Sequence, residues 1–317
     1  MPSPLNICVL GGTGFVGTEL VTRLVSEGHW VRVPTRNPNR GQHLRVLATV
    51  QLITANVHDL RTLGQLLAGM DVIINLIGIL NQSGRATFQA VHADLAAKLI
   101  AAARGAKIRR LLQMSAVGAD RERGPSRYLR SKGEAEGLIR AAGAHLDYTI
   151  FRPSVIFGPD DSLTNRFASL LGLSGGFLPL ARSQARFAPV YVGDVASAFV
   201  RTLEQRESFG ETYELCGPEI VTLEQIVHMT AAVARLPCRI LRLPDVLGWL
   251  QAAVLGLAPG KPFSLDNFNS LGSDSVCTQN GLARLGISPR YLMALLPFYL
   301  GPFTGPNELN AARKTID

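Results

Sequence analysis

The sequence predicts an α/β fold, a doubly wound parallel sheet with a small C-terminal lobe. Three observations carry this expectation. Asn6 to Leu10 is a short apolar run with β-branched residues, and a glycine-rich turn and a helical period follow it directly. Asp71 to Gly78 reads DVIINLIG, apolar on both faces, as a parallel strand covered by helices on each side requires. Between and beyond these runs, apolar strands alternate with amphipathic segments as far as Phe151. A chain of 317 residues accommodates one large domain of this kind plus a smaller lobe, and 47% hydrophobic residues supply its core.

The first turn contains Gly11, Gly14 and Gly17 at three-residue spacing, with Gly12 beside the first. Thr18 to Glu27 then places Leu20, Val21, Leu24 and Val25 at helical period. Glycine is needed there for a tight turn, for close approach of a diphosphate to the backbone, and for close helix–strand packing. The free N–H groups and the positive end of the helix dipole favour an anion. This stretch, including Thr13, Phe15 and Val16, therefore reads as a dinucleotide site, the sheet being of the Rossmann type. The second strand spans His29 to Pro34. An acidic residue commonly follows this strand to hold the ribose 2′-hydroxyl of NAD. No Asp or Glu occurs from Gly28 through His58; Arg32, Arg36, Arg40 and Arg45 occur instead. Arg36, placed where the adenosine ribose belongs, can clamp a 2′-phosphate. The expected cofactor is NADP(H) in preference to NAD(H); the competing reading is a basic loop in a basic protein.

Val50 to Ile53 is the third strand, and Asn56, Val57, His58 and Asp59 after it should wall the adenine. Asp59 caps a helix over Leu60 to Ala68. The fourth strand ends in Leu76, Ile77 and Gly78, beside the centre of the cofactor. A helix from about Thr87 to Arg104 carries His92, read as a packed or surface residue. The fifth strand, Arg109 to Met114, ends at Ser115. Ser126 to Lys132 opens the next helix, placing Tyr128 and Lys132 one turn apart on one face. An ammonium near a phenol lowers its pKa, so this pair suits proton exchange near neutral pH. Tyr148 to Phe151 is the sixth strand.

GGTGFVG, Ser115, YLRSK and RPSVIFGP together resemble the short-chain dehydrogenase/reductase superfamily, in its extended or atypical branch, over Asn6 to Gly217. More closely, INLIGIL, SRYLRSKGEAE, RPSVIFGPDD, FAPVYVGDVASA and PFSLDNFNSL resemble the accessory dehydrogenase-like subunit family of respiratory complex I and its bacterial relatives. The resemblance implies that Gly11, Gly14 and Gly17 hold the diphosphate and that Arg36 takes the 2′-phosphate. Tyr128 would be the acid/base, with Ser115 beside it as a catalytic candidate. Lys132 would bind the nicotinamide ribose, and Pro153 and Val155 would line the nicotinamide, with Met114 and Arg152 among the contacts. It also implies tightly held NADPH and a link to complex assembly and ubiquinone metabolism. Two departures weaken turnover more than binding: Ala116 follows Ser115 where a second hydroxyl is common, and His92 replaces an asparagine.

Further along, Asn165 to Leu173 is helical, Asp194 is read as a helix cap, Thr212 to Leu215 is a strand, and Thr222 caps a helix reaching Arg235. Arg239 to Leu243 is a strand. Asp245 to Ala258 is an apolar helical run without an internal charge, read first as core or as a lid over an apolar substrate, and second as an interfacial segment. The expected division is 1–157 nucleotide-binding core, 158–306 remaining core elements and lobe, and 307–317 tail. The net charge of +8 is compatible with a phosphorylated cofactor or an anionic membrane face. Without a lysine-rich run or a basic aromatic stripe, nucleic acid is not an expected partner. Cys8, Cys216, Cys238 and Cys277, scattered and without CxxC, read as reduced thiols. No metal site is expected. The first strand begins so early that no room is left for a signal peptide, and no stretch is long enough to span a bilayer. The expected location is cytoplasmic, peripheral at the inner membrane face. Two functions stay open: an NADP(H)-dependent oxidoreductase on an apolar, quinone-like compound, and a non-catalytic NADPH-holding subunit or assembly factor.

Overall fold

A computed structural model describes residues 3–258 and 261–301 of the chain. The expected tail and Pro259-Gly260 lie outside the described residues. Its centre is a seven-stranded sheet containing β1 (Asn6–Leu10), β2 (Trp30–Thr35), β3 (Val50–Thr54), β4 (Val72–Asn75), β5 (Arg110–Met114), β6 (Asp147–Pro153) and the strand Thr212–Leu215. The order across the sheet is Thr212–Leu215, β6, β5, β4, β1, β2, β3, and every neighbouring pair is parallel. The chain winds outward from β1 in one direction and then returns to wind in the other. The crevice between the carboxyl ends of β1 and β4 is therefore the switch point where such sheets take ligands.

The alternation of β1 shows why both faces must be covered. Ile7 and Val9 join a core with Leu20, Leu24, Phe151 and Phe199, while Cys8 and Leu10 join another with Leu63, Leu99, Leu111 and Ile139. Helices α1 (Phe15–Ser26), α2 (Leu60–Leu67), α3 (Leu95–Gly105) and α4 (Arg127–Ala141) supply those layers. Asp59 caps α2 through Thr62 N–H at 2.7 Å, as expected. The helix expected from Thr87 has a π-helical opening, Gln89–Asp94, before α3. Such a bulge occurs often at functional sites.

The lobe contains α5 (Thr164–Leu173), and α6 (Val192–Arg201) returns to pack on α1. Helix α7 (Leu223–Ala234) begins with a complete capping box between Thr222 and Gln225. The strands Phe177–Ala181 and Arg239–Leu243 pair in parallel, with α8 (Asp245–Leu255) and α9 (Leu265–Ser270) beside them. No helix among the described residues is long and apolar enough to cross a membrane.

Three expectations are corrected here. Cys216 and Cys277, 61 positions apart, are joined in a disulfide, leaving Cys8 and Cys238 as the free thiols. Linear spacing gave no sign of this. Segment 275–280 is laid against the sheet edge by hydrogen bonds from Ser275 N–H to Arg186 O and from the Asn280 amide to Cys216 O. Asp194 does not cap α6, whose N-cap is Tyr191. Asp194 lies buried in the first turn and accepts Arg290 N–H at 2.9 Å from a distant segment. Helix α8 is not a core element: only Gly248 and Ala252 of it are buried.

Candidate nucleotide-binding and catalytic site

The turn after β1 is shaped for a ligand at one glycine and for its own packing at others. Gly11 has φ +82°, a left-handed conformation that favours glycine. A Cβ on Gly17 would stand 2.2 Å from Gly11 O, so that glycine lets α1 sit on the loop. A Cβ on Gly14 would meet only Gly11 O, at 3.2 Å, leaving its outward side clear. Gly14 is also the N-cap of α1, and no side chain caps the N–H groups behind it. An uncapped N-terminus facing a clear cradle fits a diphosphate.

Two cavities meet at Arg36, and the smaller one reaches this turn at Thr13. A small one of about 140 Å³ is lined by Thr13, Thr35, Arg36, Asn37, Arg40, Val57 and Ile77, among others. A larger one of about 720 Å³ is lined by Arg36, Asn56, His58, Arg85, Val91, Asp94 and Lys98, among others. Arg36 stands between the two. Asn56 Oδ1 accepts His58 N–H at 3.1 Å and so shapes this side of the larger cavity, while Lys98 Nζ donates to His58 O at 2.8 Å. Phe15 lies against Gly158, and Val16 packs on the core below, so these two shape the turn from within. Leu76 N–H donates to Leu10 O at 2.9 Å, and a Cβ on Gly11 would touch Ile77 N at 3.2 Å. The loops after β1 and β4 thus close on each other at the switch point.

The second half of the site is carried by α4. Its N-cap, Ser126, accepts Leu129 N–H at 3.2 Å. Lys132 is buried, and its ammonium donates to Met114 O at 3.2 Å. A Cβ on Gly78 would stand 3.2 Å from Lys132 Nζ, so the missing side chain at Gly78 leaves room for it. Burial lowers the Lys132 pKa to about 8. Tyr128 lies in an aromatic corner with His92 (ring centroids 5.6 Å) and Phe88 (6.0 Å). Burial is the main reason its phenol rises to about 12, with a lesser push from Asp266. The expectation that Lys132 depresses the Tyr128 pKa is therefore not met. The ammonium stands 6.0 Å from the ring centroid, and removing the phenolate from water outweighs its attraction.

His92 is a packed residue, as read from sequence. Ser131 Oγ donates to Tyr128 O at 2.7 Å and lies 2.7 Å from His92 Nδ1, which assigns the ring proton to Nδ1. Nε2 then accepts Ile79 N–H at 3.2 Å. Burial, first, and the Lys132 charge, second, push the His92 pKa down to about 2, so the ring stays neutral.

Ser115 is buried, and its hydroxyl donates to Glu136 Oε1 at 2.6 Å. Arg152 meets the same carboxylate with two hydrogen bonds, 2.8 and 2.5 Å, and Arg140 adds an ion pair at 3.0 Å. Ser115 and Arg152 thus converge on Glu136. Pro153 O accepts Val117 N–H and Val155 O accepts Val190 N–H, placing both residues in backbone pairing at the carboxyl end of β6. Sequence reasoning passed over Glu136, Arg40 and Lys98 as site residues. Glu136 lies four residues after Lys132, so its position on the buried face of α4 was legible in the spacing. Asp266, which reaches α4 from the lobe, left no local signal.

The nucleotide turn, switch-point crevice and Tyr/Lys pair define a Rossmann-type dinucleotide-binding protein of dehydrogenase/reductase architecture. Residues 11–170 match the NAD(P)H-binding family. The chain is 32% identical over 290 residues to NADH dehydrogenase [ubiquinone] 1 alpha subcomplex subunit 9, mitochondrial, of Arabidopsis thaliana, covering 86% of this chain and 71% of that protein. It is 31% identical over 257 residues to a ceramide reductase of Caulobacter vibrioides, covering 78% of this chain and 76% of that one. Among solved structures, Thermus thermophilus UDP-glucose 4-epimerase in complex with NAD matches with a TM-score of 0.73 at 20% identity, covering 95% of this chain and all of that one, a likeness of fold. The chain belongs to the NAD(P)H-binding family, and its relatives include complex I subunits and a reductase.

Proposed function

We propose that this protein is an NADP(H)-dependent reductase of a carbonyl on an apolar, quinone-like compound, working at the inner face of a membrane in connection with respiratory metabolism. The observation that carries the reading is Lys132, buried on α4 beside Gly78 at the switch point, with half-buried Tyr128 one helical turn before it. Arg36 and Arg40 beside Thr13 in the small cavity, with no acid in that stretch, favour a 2′-phosphate over a free hydroxyl. When bound, the cofactor supplies hydride. The protein's part is to hold the diphosphate on the turn from Gly11 to Gly17, the adenosine between Arg36 and Asn56, and the nicotinamide ribose against Lys132.

Tyr128 fits the reducing direction. A phenol whose pKa burial raises above its ordinary value keeps its proton at neutral pH and can donate it to a developing alkoxide. The names of the relatives, a ubiquinone-linked subunit and a ceramide reductase, support an apolar substrate.

One observation favours the second reading, a cofactor-holding subunit or assembly factor. The Ser115 hydroxyl is donated to Glu136, which counts against its serving a substrate oxygen. The two readings diverge on substitution. For a reductase, Tyr128→Phe leaves NADPH affinity intact and abolishes oxidation of NADPH by quinone or ketone substrates. For a holding subunit, Tyr128→Phe is silent in cells grown on a respiratory substrate, whereas Lys132→Ala weakens NADPH retention and with it stability. A phenotype for Lys132→Ala alone rejects the reductase.

A further inference from the structure

The C-terminal lobe carries a helix packed inside out. In α8 the residues turned inward are the small ones, Gly248 and Ala252. A Cβ on Gly248 would stand 2.8 Å from Ala181 Cβ and 3.0 Å from the Phe268 ring, so the lack of a side chain lets the helix lie close to the lobe. The bulky residues face outward: Val246 is 79% exposed, Trp249 and Leu250 52% each, and Leu257 89%, with Leu247 and Val254 beside them. No charged residue occurs from Val246 through Leu257. A helix meant for water would reverse this arrangement, and a contiguous apolar face of this kind marks an interaction surface.

The surroundings indicate the partner. Helix α8 rests on the paired strands Phe177–Ala181 and Arg239–Leu243. On the strand face turned toward α8, Phe177 and Leu241 are exposed, and so is Arg239, whereas Arg242 lies on the other face, paired with Glu224. The register sets Arg239 directly opposite Phe177. Apolar bulk that includes a tryptophan, bordered by Arg239 in a chain of net charge +8, is complementary to an anionic lipid surface.

We propose that the outward face of α8 docks this protein on an anionic bilayer, with Trp249, Leu250, Val254 and Leu257 entering the headgroup boundary. Segment 261–270 follows α8 and holds both walls of the site: Lys261 Nζ donates to Gln82 O, the Asn267 amide to Leu80 O, and Asp266 accepts Tyr128 N–H. A substrate dissolved in the membrane would then reach Tyr128 past α8. That consequence rests on the reductase reading; the docking itself does not.

Tryptophan fluorescence tests the docking on the full chain. The sequence has two tryptophans, so Trp30→Phe leaves Trp249 as the sole reporter. Vesicles of phosphatidylcholine with phosphatidylglycerol should shift its emission to the blue and carry the protein upward in flotation. Phosphatidylcholine alone should do so far less, and added salt should weaken the effect. Leu250→Glu, or Leu257→Glu at the more exposed position, should lower vesicle affinity about tenfold or more, since each removes a leucine that would enter the bilayer and adds a charge. NADPH affinity, measured on the same samples, should stay unchanged. Absence of a blue shift with anionic vesicles, or equal flotation of the glutamate variants, overturns the proposal. So does a vesicle-independent doubling of mass that Leu250→Glu abolishes, which would assign the face to a second copy of the chain. Failure of NADPH binding in the unmodified protein would instead reject the reductase reading and leave the vesicle result standing.

Discussion

Asp266 accepts the backbone N–H of Tyr128 at 3.1 Å, although the two residues are 138 positions apart. Its other carboxylate oxygen accepts Arg127 N–H at 2.8 Å, and Ser270 donates to the N-cap Ser126 at 2.8 Å. The first turn of α4 is thus closed by α9 of the lobe, with a negative charge at the positive end of the helix. The helix that carries Tyr128 and Lys132 does not supply all of its own cap.

Asp266→Ala should therefore behave as loss of a cap and lower stability by about 1 kcal/mol. Asp266→Asn should lose less, since an amide oxygen still accepts. It should also bring the Tyr128 phenol down from its raised pKa, because the Asp266 charge is one of the two causes of that rise. Denaturant unfolding and ultraviolet titration of tyrosine read the two effects. Unchanged stability in both variants would mean that water replaces the carboxylate without loss.

Cofactor choice tests Arg36. Loss of a charge-assisted contact to a phosphate costs roughly 1.5–3 kcal/mol, so Arg36→Ala should weaken NADPH binding about tenfold or more while barely changing NADH. Arg40→Ala, lining the same small cavity, should have a similar but independent effect. Calorimetric titration of both nucleotides decides the matter, and equal affinities in the unmodified protein reject the preference.

The glycines should separate by role. Gly14→Val leaves the fold intact and abolishes nucleotide binding, because the added branches occupy the clear side of the turn. Gly17→Ala should instead destabilise the chain, because its Cβ would collide with Gly11 O at 2.2 Å. Thermal unfolding with and without NADPH distinguishes them: ligand-induced stabilisation disappears in the first, and the starting Tm falls in the second.

Stability should depend on pH through His92 and Lys132. His92 titrates near 6.5 when unfolded and near 2 when folded, so the unfolded chain binds the proton first as pH falls. The folded state then loses up to about 1.4 kcal/mol per pH unit below 6.5. Lys132 falls from 10.5 to about 8, so between these values the unfolded chain holds the extra proton and stability rises with pH. In chemical denaturation without nucleotide, the gap between the unmodified protein and His92→Gln should narrow below pH 6.5. The gap between it and Lys132→Met should widen in favour of the unmodified protein from pH 8 toward 10. Parallel curves in either pair reject the corresponding burial effect.

The order of strands and helices around the nucleotide turn was readable from the chain alone. The reason is that its signals are local. A buried parallel strand must be apolar on both faces, a helix must repeat near every third or fourth residue, and a phosphate turn needs glycine where backbone approaches backbone. Thr222 with Gln225, Asp59 with Thr62, and Tyr128 with Lys132 are likewise pairs three or four residues apart, within the reach of one helical turn. What the tertiary structure decided are the partnerships across long separations, for which no spacing rule exists. Cys216 meets Cys277, Ser115 is turned to Glu136, and Asp266 is brought to Tyr128 only when the lobe packs on the sheet. The pKa values followed the same rule. Proximity in sequence predicted attraction between Lys132 and Tyr128, whereas burial, a property of the whole packed molecule, drove the two groups toward their neutral forms. Helix α8 shows it most plainly. Its sequence is apolar all round, and only the fold decided that Gly248 and Ala252 face the protein, leaving its large side chains turned outward.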